Sequence, residues 1–229
     1  MSLVRVGILA PMPSELRPVV KAMGLTRDAD GLHVGRVGAV DVVAMHTGMG
    51  LALATAAATR LLDHTAVDHV MVVGIAGGLG STLVGELVCP EIVVERSTAT
   101  EFRATPFASA SGRISSSDEF ALESDLVDRL AAAGVRAVDM ETAAVAAVCA
   151  ARGCAWSAVR VISDLVEDHP DAAVLGLANA DGSPNAAAAL RFMAAHPGRI
   201  PQLLRLGRDA SRAARAAAAE AARQLRAIE

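Results

Sequence analysis

The run HVMVVGIAGGL, residues 69–79, decides the fold. A strand with one face in water alternates apolar and polar residues, whereas here apolar residues follow one another without a break up to the first glycine. Such a run reads as a strand buried on both faces, the habit of a sheet covered by helices on either side. The uncharged stretch continues to residue 85, but glycines interrupt it and it is shorter than the roughly 20 residues a membrane helix needs.

Around this run the chain repeats strand, turn and helix. LVRVGILA (3–10) is a second near-continuous apolar run, and after a Pro-rich turn SELRPVVKAMG (14–24) reads as a helix with Ser14 at its N-cap. GLHVGRVGAVDVVAMHTG (31–48) holds two short alternating runs broken by glycines, as in a hairpin, and LALATAAATRLL (51–62) is helical by propensity. LVCPEIVVERS (87–97) reads as one further strand; residues 98–117, rich in Ser, Thr, Ala and Gly, read as a loop. A helix ending at Gly134 follows, and VRAVDMETAAVAAVCAARGC (135–154) passes from strand into an Ala-rich helix. WSAVRVISDLVED (156–168) is a strand whose polar end is Ser163 and Asp164, and SPNAAAALRFMAA (183–195) is a helix with Ser183 at its N-cap and Pro184 at its first position. The last run, 203–229, is a helix whose interspersed charges form a solvated face. With neither linker nor internal repeat, the pattern predicts a single α/β domain over 1–229, its central, mostly parallel sheet flanked by helices.

Composition removes several function classes. The 229 residues are 53% apolar but only 2% aromatic, with a net charge of −4. An acidic chain does not bind nucleic acid by neutralising phosphates, and so few rings give no platform for stacked bases. The N-terminal run carries Arg5 and is soon followed by Glu15, so it reads as a strand and not a signal peptide. Cys89, Cys149 and Cys154 have no CxxC spacing, which fits a reduced cytoplasm and neither a disulfide framework nor a zinc site. Lys21 is the sole lysine, leaving almost no candidate for a Walker-type or Schiff-base lysine.

In a sheet of this kind ligands bind beyond the carboxyl ends of the strands. Four clusters fall there: Pro11 to Glu15, His46 to Gly50 with Met49, Gly74 to Gly78 with Ala76 and Gly77, and Val138 to Glu141 together with Ser163 and Asp164. Each has a purely structural reading. Glycines after a strand make tight turns, a Glu at a helix start answers the helix dipole, Asp164 suits an N-cap, and His46 suits a satisfied structural histidine. None of the clusters has metal-ligand spacing, and the glycines do not form the dinucleotide fingerprint, so no metal or cofactor is expected.

Taken together, VGILAPMPSE, HTGMG, VVGIAGGLG, AVDMETAAVA and VRVISD resemble, in order and position, the motifs of the purine nucleoside phosphorylase and nucleosidase superfamily, and in particular the bacterial 5′-methylthioadenosine/S-adenosylhomocysteine nucleosidases. The resemblance covers residues 4–96 and 112–168. It implies a mixed, twisted sheet flanked by helices and cleavage of the N-glycosidic bond of a purine nucleoside, through a sugar cation like that of glycoside hydrolysis. By resemblance Asp164 is the acid to N7 of adenine, oriented by Ser163, and Glu15 positions the attacking water. Glu141 accepts the ribose hydroxyls, Met140 packs against the sugar, and Phe120 stacks on the base. A homodimer is also implied, because the family completes its 5′ pocket from a neighbouring chain.

Three departures bear on substrate and nucleophile. Ile75 stands where the family has a serine; some thirty residues usual between Glu95 and Gly112 are absent; and the tail 174–206 is more similar to the hopanoid-associated members, which are thought to act on an adenosyl group carrying a long apolar chain. Phe102 and Phe107, in the shortened loop, are placed to cap the 5′ side. Because the strand before the glycine turn carries Val72, Val73 and Ile75 where the family's phosphorylases have an arginine, water is favoured as nucleophile. Phosphorolysis stays open if Arg36, Arg96 or Arg103 reaches the site. A catalytically silent nucleoside-binding protein is the alternative from another class.

Overall fold

The computed structural model describes residues 5–110, 112–119, 123–166, 179 and 185–228. In chain order the strands are β1 (Arg5–Ala10), β2 (Thr26–Arg27), β3 (His33–Val37), β4 (Val40–His46), β5 (His69–Gly78), β6 (Leu87–Val88), β7 (Ile92–Glu95), β8 (Thr100–Arg103), β9 (Arg113–Ser116), β10 (Val135–Asp139) and β11 (Ala155–Leu165). The helices are α1 (Pro13–Met23), α2 (Leu51–His64), α3 (Ser124–Ala132), α4 (Thr142–Arg152), α5 (Ala186–Ala195) and α6 (Ile200–Arg226).

Strand β5 is the axis, as its unbroken apolar run requires. One edge pairs in parallel with β11 along its whole length, from Ala155 opposite His69 to Leu165 opposite Gly78. The other edge is shared: β1 runs parallel to its first half, and β10 crosses antiparallel at Gly77 and Gly78. From these neighbours the sheet continues through β4, β3 and β2 on one side and through β9, β7 and β8 on the other. Parallel and antiparallel pairs mix: the central strands β4, β1, β5 and β11 pair in parallel, while antiparallel ladders join β10 to β5 and build the margins. Helices α1 and α6 cover one face, burying Val6, Ile8, Val19 and Val42 with Ala213, Ala217 and Ala221; the small alanines let α6 lie close to the sheet. Helices α2 and α4 cover the other, over Leu9, Val70, Val72 and Ala158.

Four local expectations change. Ser14 lies inside α1; its N-terminus is closed by the Glu15 carboxylate, which accepts the Met12 N–H at 2.8 Å. The strand expected over 87–97 is two, parted at Cys89 and Pro90, whose ring cannot donate to a ladder. The expected loop 98–117 contains β8 and β9, four-residue strands too short and too polar to carry a periodic signal. Ser183 and Pro184 lie outside the described residues, and α5 is capped by Asn185, whose side chain accepts the Ala188 N–H at 3.0 Å.

Candidate active site

The carboxyl ends of β1, β5, β10 and β11, with the start of α1 and α2, enclose a cavity of about 180 Å³. Glu15, Met49, Ala76, Gly77, Met140, Glu141, Ser163 and Asp164 all line it, although they come from segments up to about 150 positions apart. Phe120 lies outside the described residues. A larger groove of about 1050 Å³ beside β3, β4 and the end of α2 contains none of them. His46 faces that groove and is exposed, so it is neither a buried structural histidine nor part of the site.

Glu15 stands at the third position of α1 and is 2% exposed. One carboxylate oxygen accepts the Met12 N–H, and the other accepts the Ile75 N–H at 2.8 Å, tying the helix start to the end of β5. Burial pushes its pKa up to about 7, against the opposing pull of the Arg160 guanidinium and of the two N–H groups. Gly74 makes this arrangement possible: a Cβ there would collide with the Glu15 carboxylate and stand 2.7 Å from Arg160 Nη1.

Arg160, in the middle of β11, is the residue that sequence reasoning missed. It is fully buried. Its Nη2 lies 2.7 Å from Asp139 and 3.5 Å from Glu141, Nε and Nη2 donate to the Thr142 hydroxyl, and Nη1 donates to the Ile75 carbonyl at 3.3 Å. Asp139 in turn accepts the hydroxyls of Ser116 and Thr142 and the N–H groups of Glu141 and Thr142. The available signal was an arginine inside the apolar run WSAVRVIS, since a charge in a two-face-buried strand must have a partner. The neighbouring strand thus places a buried cation beside the glycine turn, held there by protein acceptors.

Glu141 begins α4. It accepts the Gly50 N–H at 3.1 Å at the start of α2, where φ of 95° suits glycine, and burial raises its pKa to about 8 against the pull of Arg160. Asp139, Glu141 and Glu15 therefore share one guanidinium, and the buried set is short of positive charge. On the opposite side of β5, Ser163 is the extra residue of a bulge: Ile162 pairs with Ala76 and Asp164 with Gly77. The bulge turns Asp164 into the cavity, and the Ser163 hydroxyl donates to its carboxylate.

Of the loop arginines, Arg96 lines the cavity, with Glu119 Oε2 3.9 Å away; Arg36 and Arg103 do not line it. Phe102 and Phe107 do not cap it either. The Phe107 ring lies 4.1 Å from His69, and Thr105 donates to the Trp156 carbonyl, so this segment crosses the starting ends of β5 and β11. Those ends are about 20 Å from Ile75 at the rise of a strand.

The family model for the phosphorylase superfamily matches residues 5–130 and 94–195. The chain belongs to the phosphorylase superfamily. Among curated relatives, a 5′-methylthioadenosine/S-adenosylhomocysteine nucleosidase of Glaesserella parasuis is 26% identical over 199 residues, covering 71% of this chain and 86% of the relative. Among solved structures, the 5′-methylthioadenosine/S-adenosylhomocysteine nucleosidase of S. pneumoniae with a transition-state inhibitor superposes with a TM-score of 0.74 at 19% identity, over 99% of this chain and 100% of that one. Futalosine hydrolase of Helicobacter pylori superposes with a TM-score of 0.72 at 17% identity, over 97% of each chain. These likenesses establish the superfamily fold, and the strand-end site described above lies within the segment that the superfamily model matches.

Proposed function

We propose that this member of the phosphorylase superfamily hydrolyses the N-glycosidic bond of a 5′-modified adenine nucleoside and releases adenine. The observation that carries the reading is the buried excess of carboxylate, Glu15, Asp139 and Glu141 around a single Arg160. In a set so poor in cations, ionising Glu15 and Glu141 is costly, and a ribosyl cation developing in the cavity supplies the missing positive charge. Stabilisation of that kind grows only as the transition state is approached.

In this reading Glu15, fixed by two N–H groups, takes a proton from the attacking water. Glu141 receives the ribose hydroxyls, and Asp164, oriented by Ser163, hydrogen-bonds or protonates the leaving base; each acid–base contribution is worth roughly 10²–10⁴-fold. Met140 and Met49 pack the sugar, and Phe120 is assigned to the base. Water is preferred to phosphate because each of the three Arg160 nitrogens already donates to a protein acceptor, while Arg96 stands at the end of β7, beyond β10 and β9 from Glu15. A phosphate dianion would find Arg160 beside Glu15 already engaged by protein acceptors; Arg96, on the cavity lining, keeps phosphorolysis as the second reading. The nucleosidases and the hydrolase among the similar proteins support the same choice.

The test is release of free adenine from methylthioadenosine, S-adenosylhomocysteine, adenosine and longer 5′-alkyl adenosines. Asp164→Asn should keep adenine binding and lose turnover; unchanged turnover in that variant would remove the mechanism.

A further inference from the structure

The charges of the last two helices take no part in the site. Residues 185–229 hold eight arginines against three acidic residues, in a chain whose net charge is −4. On the first half of α6 the exposed residues include Leu204, Arg205, Arg208, Ser211, Arg212 and Arg215. Their offsets from Leu204 of one, four, seven, eight and eleven place them in a single stripe of the helix. The helix cannot roll to hide that stripe, because Ala213, Ala214, Ala217 and Ala218 are buried on the other side. Asp209, 3.6 Å from Arg212, is the acidic group near the stripe, and Arg205 and Arg191 make no ion pair or hydrogen bond among the described residues.

Two leucines stand among these arginines: Leu190 on α5 is 67% exposed and Leu204 is 61% exposed. We propose that α5 and the first half of α6 dock on an anionic lipid bilayer. Guanidinium groups pair with lipid phosphates while leucines enter the acyl boundary, and a bilayer is the polyanion that accommodates both. Nucleic acid would answer the arginines but leave the leucines in water, and of the segment's described rings Phe192 is buried and His196 alone is exposed, too few for a stacking platform. The helices lie on the surface, since no described helix is long and apolar enough to cross a membrane. This inference is independent of the catalytic reading.

The test is flotation of the whole chain with vesicles of phosphatidylcholine alone and of phosphatidylcholine mixed with phosphatidylglycerol, at low and at half-molar salt. Binding is expected on the anionic vesicles at low salt and not on the neutral ones. Each arginine is worth about fivefold, so Arg205→Gln/Arg208→Gln/Arg212→Gln should weaken partition roughly 10²-fold. All three sit on the exposed stripe, and an unchanged thermal melt shows that the fold is kept. Leu204→Ser should weaken partition without changing its salt dependence. No binding to anionic vesicles, equal binding to neutral ones, or an unaffected triple variant overturns the proposal. Duplex DNA captured as tightly as the vesicles, or self-association lost in the triple variant, also overturns it by assigning the stripe to another partner.

Discussion

Replacing Glu15 by Gln separates the electrostatic cost of the site from its chemistry. With its pKa at about 7 in place of the ordinary 4.5, the native protein holds the Glu15 proton more tightly than the unfolded chain does. As pH rises from 4.5 to 7 the unfolded chain releases that proton first, so stability falls through this window and levels off above it. At about 1.36 kcal/mol per pH unit, the ionised carboxylate costs the native state roughly 3 kcal/mol above neutrality. Gln carries no such cost at any pH. Its amide, however, satisfies one of the two N–H donors at Met12 and Ile75 and confronts the other, a loss of about 1–2 kcal/mol that does not depend on pH. Urea unfolding should therefore find Glu15→Gln less stable than the parent by about 1 kcal/mol at pH 5 and more stable by about 2 kcal/mol at pH 8. Turnover should fall roughly 10²–10⁴-fold throughout. A stability difference that is flat between pH 5 and pH 8 would refute the claim that Glu15 is held buried without an adequate counter-charge.

The remaining expectations follow from the same network. Arg160→Met leaves Asp139 and Glu141 without their cation, and urea melts should show a loss of about 3–5 kcal/mol at pH 8 and less at pH 5, where Glu141 holds its proton. Gly74→Ala drives a methyl into Glu15 and Arg160, so it should cost about 1–3 kcal/mol and abolish turnover. Gly207→Ala on α6, where a Cβ meets nothing within 4 Å, should raise stability by about 0.5–1 kcal/mol. Because Glu15 must be ionised to act as base, kcat/KM should rise between pH 5 and 7; a profile that falls over that range contradicts the assigned role.

The parts of the fold legible in the sequence were those whose environment leaves a periodic trace. β5 and β11 are buried on both faces and read as continuous apolar runs, and α2 and α4 read from their alanines. β8 and β9 leave no trace because each has four residues with a single apolar one, and they owe their conformation to β7 beside them. The site divides in the same way. Glu15, Glu141 and Asp164 sit in recognisable strand-end motifs, whereas the Asp139–Arg160 pair exists only because β10 and β11 flank β5, a relation among segments 21 positions apart that no local window contains. Phe102 and Phe107 misled because nearness in sequence to the site's motifs is not nearness in space: the chain from β8 runs to the opposite end of the sheet. The bulge at Ser163, which aims Asp164, is likewise a property of register and not of composition.

The central claim is that this cavity directs water, and not phosphate, onto the anomeric carbon. The direct measurement is single-turnover cleavage of 5′-methylthioadenosine in oxygen-18 water, with and without phosphate, followed by mass analysis of the sugar. The account predicts free adenine and a sugar carrying one oxygen-18 at C1, at a rate indifferent to phosphate. A strict phosphate requirement with a ribose 1-phosphate product would contradict it.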